Sequence, residues 1–142
     1  MSHRRRYPNH PILGVGILIK DKDNYLLIKR ATNPDKGLWS VPGGLIEVGE
    51  KATDAAVREA LEETCLHVEI MERRDIVDKI EYDEQGEVLY HFVILQFLAE
   101  KVCGEMKPMD DALDAKWVTL DQLPDYQITK SLEAFLRDIT EY

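Results

Sequence analysis

Three glutamates in one stretch, Glu59, Glu62 and Glu63, stand at i, i+3 and i+4, directly after Arg58 and beyond Glu50. On a wheel of 100° per residue with Glu59 at 0°, Glu62 falls at about 300° and Glu63 at about 40°, so the carboxylates share one helix face. Like charges so spaced repel by about a few tenths of a kcal/mol per pair. Either solvent screens such a face or a divalent cation binds it. Donors that are all oxygen suit Mg2+, Mn2+ or Ca2+ rather than zinc. A metal held there would lower the pKa of a bound water and stabilise negative charge on a bound ligand. Arg58 flanks the face at about 260°, where it can orient Glu62 or Glu50. Glu50 also suits the dipole at the helix entrance. Ahead of them, Pro42-Gly43-Gly44 provides backbone that a ligand can approach closely.

The element that must present these acids is a helix from about Ala52 to Thr64, a stretch of good helix formers without Gly or Pro. Val57, Ala60, Leu61 and Thr64 cluster opposite the acids and are expected to be its buried side. Ile12 to Lys20 reads as a strand, with Gly14 and Gly16 allowing close backbone approach or a bulge. Asp21-Lys22-Asp23-Asn24 is turn chemistry, and Tyr25 to Arg30 is the returning strand of a hairpin. A loop over Asn33 to Gly37 and a short extended piece, Leu38 to Val41, lead into the glycines. Two strands are expected between Val68 and Tyr82, then a turn at Asp83 to Gly86. A long strand follows over Val88 to Ala99, and a short last one at Trp117-Val118-Thr119. Ile128, Leu132, Phe135, Leu136 and Ile139 mark an amphipathic helix. Strands on both sides of one helix, with a second helix at the end, predict an α+β fold, a mixed β-sheet packed between helices.

The chain has 142 residues with a formal net charge of −9, 44% apolar and 32% charged. That describes one globular domain. The expected division is a flexible basic segment over residues 1–10, carrying Arg4-Arg5-Arg6, and a single domain over 11–142. The acidity argues against long nucleic acids and anionic membranes as partners. The longest apolar run, Ile12 to Ile19, is too short to span a bilayer. Two cysteines, Cys65 and Cys103, make no disulfide framework, so a reduced, cytoplasmic setting is expected. Residues 44 to 66 hold six acids against two bases, a net of −4 out of −9, so much of the acidity gathers around one helix.

Taken together, Gly44-x5-Glu50-x7-Arg58-Glu59-Ala60-x-Glu62-Glu63-x-Cys65-Leu66 resembles the Nudix hydrolase box, G-x5-E-x7-R-E-U-x-E-E-x-G-U with U bulky or aliphatic. The match covers 23 residues strictly, and Gly37-Leu38-Trp39-Ser40-Val41-Pro42-Gly43-Gly44 with Trp117-Val118 extends it loosely. The resemblance implies an α/β/α sandwich that hydrolyses a nucleoside diphosphate linked to another moiety, using Mg2+ or Mn2+. It implies Glu59, Glu62 and Glu63 as metal ligands, with the Gly43 carbonyl a further contact. Glu50 and Arg58 are then orienting residues, with Glu50 a ligand in some states. The general base is Glu59, Glu63 or a later acid among Asp110, Asp111 and Asp114, of which Asp111 is chosen as a metal ligand. Arg30 resembles an arginine that contacts substrate phosphate. Trp39 either packs under the Pro-Gly-Gly loop or stacks on a base, and Gly43 and Gly44 line the substrate. Cys65 departs from the box glycine. If that position is left-handed, cysteine there costs on the order of 1 kcal/mol.

The box does not name the substrate. The segments His91 to Ile94 and Asp111 to Trp117 look like small ADP-ribose pyrophosphatase-type members, so ADP-ribose or another nucleoside diphosphate sugar ranks first. A (deoxy)nucleoside triphosphate, as for MutT-like enzymes, ranks second. Dinucleoside polyphosphates, which the spacing of Tyr82 suggests, rank third. A non-catalytic nucleotide-binding module is the alternative of another class, and a homodimer is expected from the family and the apolar first strand.

Overall fold

Ile17, Leu18 and Ile19 are consecutive and all fully buried, the mark of a strand covered on both faces. They belong to β1 (Ile12–Asp21), which lies inside the sheet of a computed structural model that describes residues 5–109 and 112–140. On one side β1 runs parallel to β6 (Val88–Cys103), from Ile12 opposite Phe92 to Lys20 opposite Glu100. On the other it meets two partners in turn. Its end pairs with β2 (Asn24–Arg30) through the hairpin, and its middle pairs with β4 (Gly43–Leu45), Gly16 facing Gly43 and Gly14 facing Leu45. The apolar first strand is therefore used inside the chain's own sheet. β3 (Trp39–Ser40) and β7 (Ala112–Val118) both pair with β2, and β5 (His67–Tyr82) closes the other edge against β6.

Helix α1 (Ala52–Thr64) covers one face of this seven-stranded mixed sheet. Its Ala55, Ala56 and Ala60 sit in a core with Ile17, Ile19, Leu26, Phe97 and Ala99, and their short side chains let the helix lie close to the strands. Helix α2 (Lys130–Thr140) follows a short 3-10 turn at Leu120–Asp125. It packs Leu132 and Leu136 with Leu27 and Val118 in a second cluster. Leu26 and Leu27, adjacent in β2, thus serve different clusters, as the two-residue period of a strand requires. The result is the expected sandwich of a mixed sheet between helices. Among the described residues no helix is long and apolar enough to cross a membrane.

Four sequence expectations are corrected. The stretch from Val68 to Tyr82 belongs to one sixteen-residue strand, His67–Tyr82, not two, because bulges between Ile70 and Glu72 and between Arg73 and Ile76 break its alternation. β6 continues past Ala99 to Cys103, and the last strand spans Ala112–Val118 rather than starting at Trp117. The glycines at 43 and 44 belong to a strand, since β1 supplies the partner. The fourth concerns α1. Val57 and Leu61 are 37% and 40% exposed, while Ala55, Ala56, Ala60, Glu63 and Thr64 are buried. The buried side is thus rotated toward the acids, and the carboxylates sit at the rim of the helix–sheet junction rather than on its far side.

Two contacts tie the periphery down. Tyr7 donates its N–H to the Leu89 carbonyl (2.9 Å) and its hydroxyl to Asp83 (2.9 Å), joining the N-terminal segment to the β5–β6 turn. Arg74 of β5 grips Asp138 of α2 through Nε (2.9 Å) and through the Asp138 carbonyl (2.8 Å). That guanidinium lowers the Asp138 pKa. A carboxyl with a lowered folded pKa contributes stability above its unfolded value, and the contribution vanishes as pH falls through the folded one. Asp138→Ala is therefore expected to destabilise the chain by about 1–3 kcal/mol at neutral pH and progressively less below pH about 4, read by urea unfolding at several pH values. A loss independent of pH refutes the ion-pair account.

Candidate active site

Helix α1 begins after Lys51, whose backbone is extended, and Glu50 lies just outside it. From inside the helix Arg58 returns to Glu50 with two bonds, Nε to Oε2 (2.7 Å) and Nη2 to Oε1 (2.9 Å), a bidentate pair. Its Nη2 also donates to the Leu45 carbonyl of β4 (3.0 Å), and its Nη1 to Glu59 (2.7 Å) and Glu62 (3.2 Å). One guanidinium thus joins the helix entrance, the glycine strand and two of the three acids. Arg58, helped by the Glu47 N–H, holds the Glu50 carboxyl down to about 2. In return Glu50, then Glu59, push the Arg58 pKa above its usual value. Glu50 and Arg58 thus form an ion-paired brace against Glu59 and Glu62.

The glycines are there because side chains would collide. A Cβ on Gly43 would overlap the Val15 carbonyl of β1, and one on Gly44 would overlap the Glu59 carboxylate. The sequence therefore places a bare strand between β1 and α1 and lets Glu59 lie against it. Glu63 is only 6% exposed and accepts a long bond from the Gly43 N–H (3.4 Å). Its own carbonyl accepts from Met109 (2.8 Å), and the Thr64 carbonyl from Lys107 (3.0 Å), so the 104–109 loop is fastened to the helix end.

That end carries the departure from the box. Cys65 adopts φ 64° and ψ 16° and donates its N–H to the Leu61 carbonyl, a left-handed helix cap built with a residue that has a Cβ. Cys65→Gly is expected to raise stability by up to about 1 kcal/mol in chemical denaturation with turnover kept. A marked fall in turnover would show instead that the thiol matters.

Glu59, Glu62 and Glu63 open on a cleft of about 1110 Å³ together with Gly43 and Gly44. Arg30 and Lys79 stand in the same cleft, with Phe92, Ile94 and Gln96 of β6 among its lining. Arg30 donates Nε to the Pro34 carbonyl (2.7 Å), and Lys79 pairs with Asp35. The structure thus brings together Gly43, Gly44, Glu59, Glu62, Glu63 and Arg30. Trp39 lies outside that lining: it packs edge-on against Tyr126 (5.2 Å between centroids) beneath Lys116, in the α2 cluster. Its assignment to the substrate is corrected to the core, because β3 turns its ring toward α2. Tyr82 is 63% exposed, and His91 stands opposite Ile80 at the β5–β6 ladder; neither lines the cleft. Asp114 accepts from the Ala115 N–H (2.8 Å). Asp110 and Asp111 lie outside the described residues. Lys79 and Gln96 were not singled out from sequence. Gln96 could have been, as a lone amide in the apolar run from Phe92 to Leu98.

Among the described residues no three His, Cys, Asp or Glu side chains converge tightly enough to hold a metal ion. Arg58 draws on Glu59 and Glu62 while Glu63 turns to Gly43. The donor set still fits a hard cation in kind: carboxylate oxygens of one helix turn line one cleft beside exposed backbone. Ligation would require the carboxylates to turn from Arg58 toward the cleft.

A glutamate-bearing helix set against a glycine strand, inside a sheet sandwiched by helices, defines a Nudix-type domain. The family profile of the NUDIX domain matches residues 10–139, and the chain belongs to that family. It is 36% identical over 115 residues to an ADP-ribose pyrophosphatase of Methanocaldococcus jannaschii, covering 81% of this chain and 66% of that one. It is 30% identical over 125 residues to the NAD-capped RNA hydrolase NudC of Pseudomonas aeruginosa, covering 87% of this chain and 42% of that one. The chain therefore spans less than two thirds of either relative. The crystal structure of a MutT NUDIX hydrolase from Burkholderia pseudomallei superimposes with a TM-score of 0.82 at 30% identity, covering 93% of this chain and all of that one.

Proposed function

We propose that this chain hydrolyses the pyrophosphate bond of a nucleoside diphosphate derivative, ADP-ribose or a related nucleoside diphosphate sugar, with bound Mg2+ or Mn2+. The observation that carries this reading is that Glu59, Glu62 and Glu63 line one nucleotide-sized cleft together with Gly43 and Gly44. The ADP-ribose pyrophosphatase relative supports the choice of substrate. The metal supplies positive charge for phosphoryl oxygens and a more acidic water. Glu59, Glu62, Glu63 and the Gly43 carbonyl would hold it, with Asp111 as a further ligand. Glu50 keeps Arg58 in place, and Arg58 presents Glu59 and Glu62 from behind. Gly43 and Gly44 admit the diphosphate close to the backbone. Arg30 takes phosphate charge on the far side of the cleft. Glu63 or Glu59 takes the proton of the water that attacks phosphorus, and the bridging P–O bond breaks. We place the enzyme in the cytoplasm, as a homodimer acting on small nucleotides and not on long nucleic acids.

A second reading, pyrophosphohydrolysis of a nucleoside triphosphate, is favoured by the similarity to the Burkholderia MutT structure. One experiment tests both: incubation with Mg2+ or Mn2+ and a nucleotide panel, with chromatography of the products. AMP plus ribose 5-phosphate from ADP-ribose supports the first reading. Nucleoside monophosphate plus pyrophosphate supports the second. Nucleotide binding without any product refutes both in favour of a non-catalytic module.

A further inference from the structure

The cleft floor holds a buried polar atom that no group among the described residues satisfies. Gln96 is 3% exposed, and its Nε2 donates to the Ser131 carbonyl of α2 (3.3 Å). Its Oε1 is buried and has no hydrogen-bond partner among the described residues. The amide cannot be read the other way round, since a carbonyl accepts only a donor and Ser131 therefore takes the nitrogen. An orphaned buried acceptor costs stability that a leucine or methionine would not.

Its surroundings suggest what the oxygen is for. Phe92, Ile94 and Gln96 follow each other on the cleft face of β6, and opposite them in β1 stand Ile12, Gly14 and Gly16. Gly14 and Gly16 bring no side chains of their own, so Phe92 and Ile94 make an apolar floor of the kind on which a planar ring rests, with Gln96 at its end and Val41 and Leu45 closing on the glycines. The acids of α1 open on the same cleft. We propose that Gln96 is a specificity residue whose Oε1 accepts a hydrogen bond from the exocyclic amino group of a nucleobase lying on that floor. This rests on the reading that the cleft takes a nucleotide. The last torsion of glutamine is soft and the bond to Ser131 is long, so a small turn brings Oε1 to the cleft while Nε2 stays beside Ser131. A 6-amino purine then offers a donor, whereas a 6-oxo purine sets carbonyl against carbonyl.

The test measures AMP and IMP binding by calorimetry with Mg2+ present, for the full chain and for Gln96→Leu and Gln96→Met. The native chain is expected to bind AMP about 10-fold or more tightly than IMP. Both variants are expected to bring that ratio close to one through weaker AMP binding, and to melt at the same or a higher temperature. Equal binding of AMP and IMP by the native chain, no binding of either, or a preference that survives both substitutions overturns the proposal. The outcome does not depend on turnover. AMP preference in a chain that cleaves nothing upholds the base contact and refutes the hydrolase reading. Equal cleavage of ADP-ribose and its hypoxanthine counterpart does the reverse.

Discussion

Glu63→Gln and Glu62→Gln are each expected to lower the proposed metal-dependent pyrophosphate hydrolysis by about 100-fold or more and to leave the fold standing. Glutamine keeps the length and shape of the side chain and removes its charge, so packing is preserved while a metal donor and a base are lost. Glu62 is the cleaner case for stability, because its side chain is 48% exposed and pairs with the Arg58 Nη1 at 3.2 Å. Glu63 is 6% exposed beside the Gly43 N–H, and its glutamine oxygen can still accept from that group. The measurement is the rate at saturating Mg2+ beside the thermal unfolding curve of each variant. Rates within a fewfold of the native chain, with unfolding unchanged, would remove both glutamates from the reaction.

The helix that bears these residues was readable to its ends: the bounds 52 and 64 follow from an uninterrupted run of helix formers, and the left-handed turn at Cys65 follows from the box. Which face it buries was not. Of the four residues expected on it, Ala60 and Thr64 are buried but Val57 and Leu61 are not, and the sheet takes Ala55 and Ala56 in their place because short side chains let α1 approach the strands. That rotation carries Glu63 into the junction, where a wheel would leave it in water. Trp39 shows the same limit, since its neighbour Tyr126 is 87 residues away in sequence and no local pattern joins them. The single strand from His67 to Tyr82 was hidden by its bulges, which shift the alternation a sequence reader counts. Local patterns thus picked out the acidic cluster, and the long-range packing decided its depth.

The adjacent glycines of β4 should fail differently when a methyl group is added, and the contrast tests how the site is assembled. In Gly43→Ala the new Cβ meets the Val15 carbonyl, which is backbone of the central strand and cannot move aside. The β1–β4 pairing must open, and a stability loss of about 1–3 kcal/mol is expected. In Gly44→Ala the Cβ meets the Glu59 carboxylate, the far end of a side chain that can swing away. The fold is then kept, but the methyl takes the space beside the glycine strand that the Glu59 carboxylate occupies and needs in order to turn toward the cleft. Misplacing a ligand by about 1 Å costs on the order of 100-fold in rate. Gly44→Ala should therefore unfold within about 1 kcal/mol of the native chain and lose most turnover, while Gly43→Ala loses stability first. Denaturant unfolding paired with initial rates separates the two. If Gly44→Ala retained full activity, Glu59 could work from more than one position, and the tight seating of its carboxylate against β4 would be incidental to the chemistry.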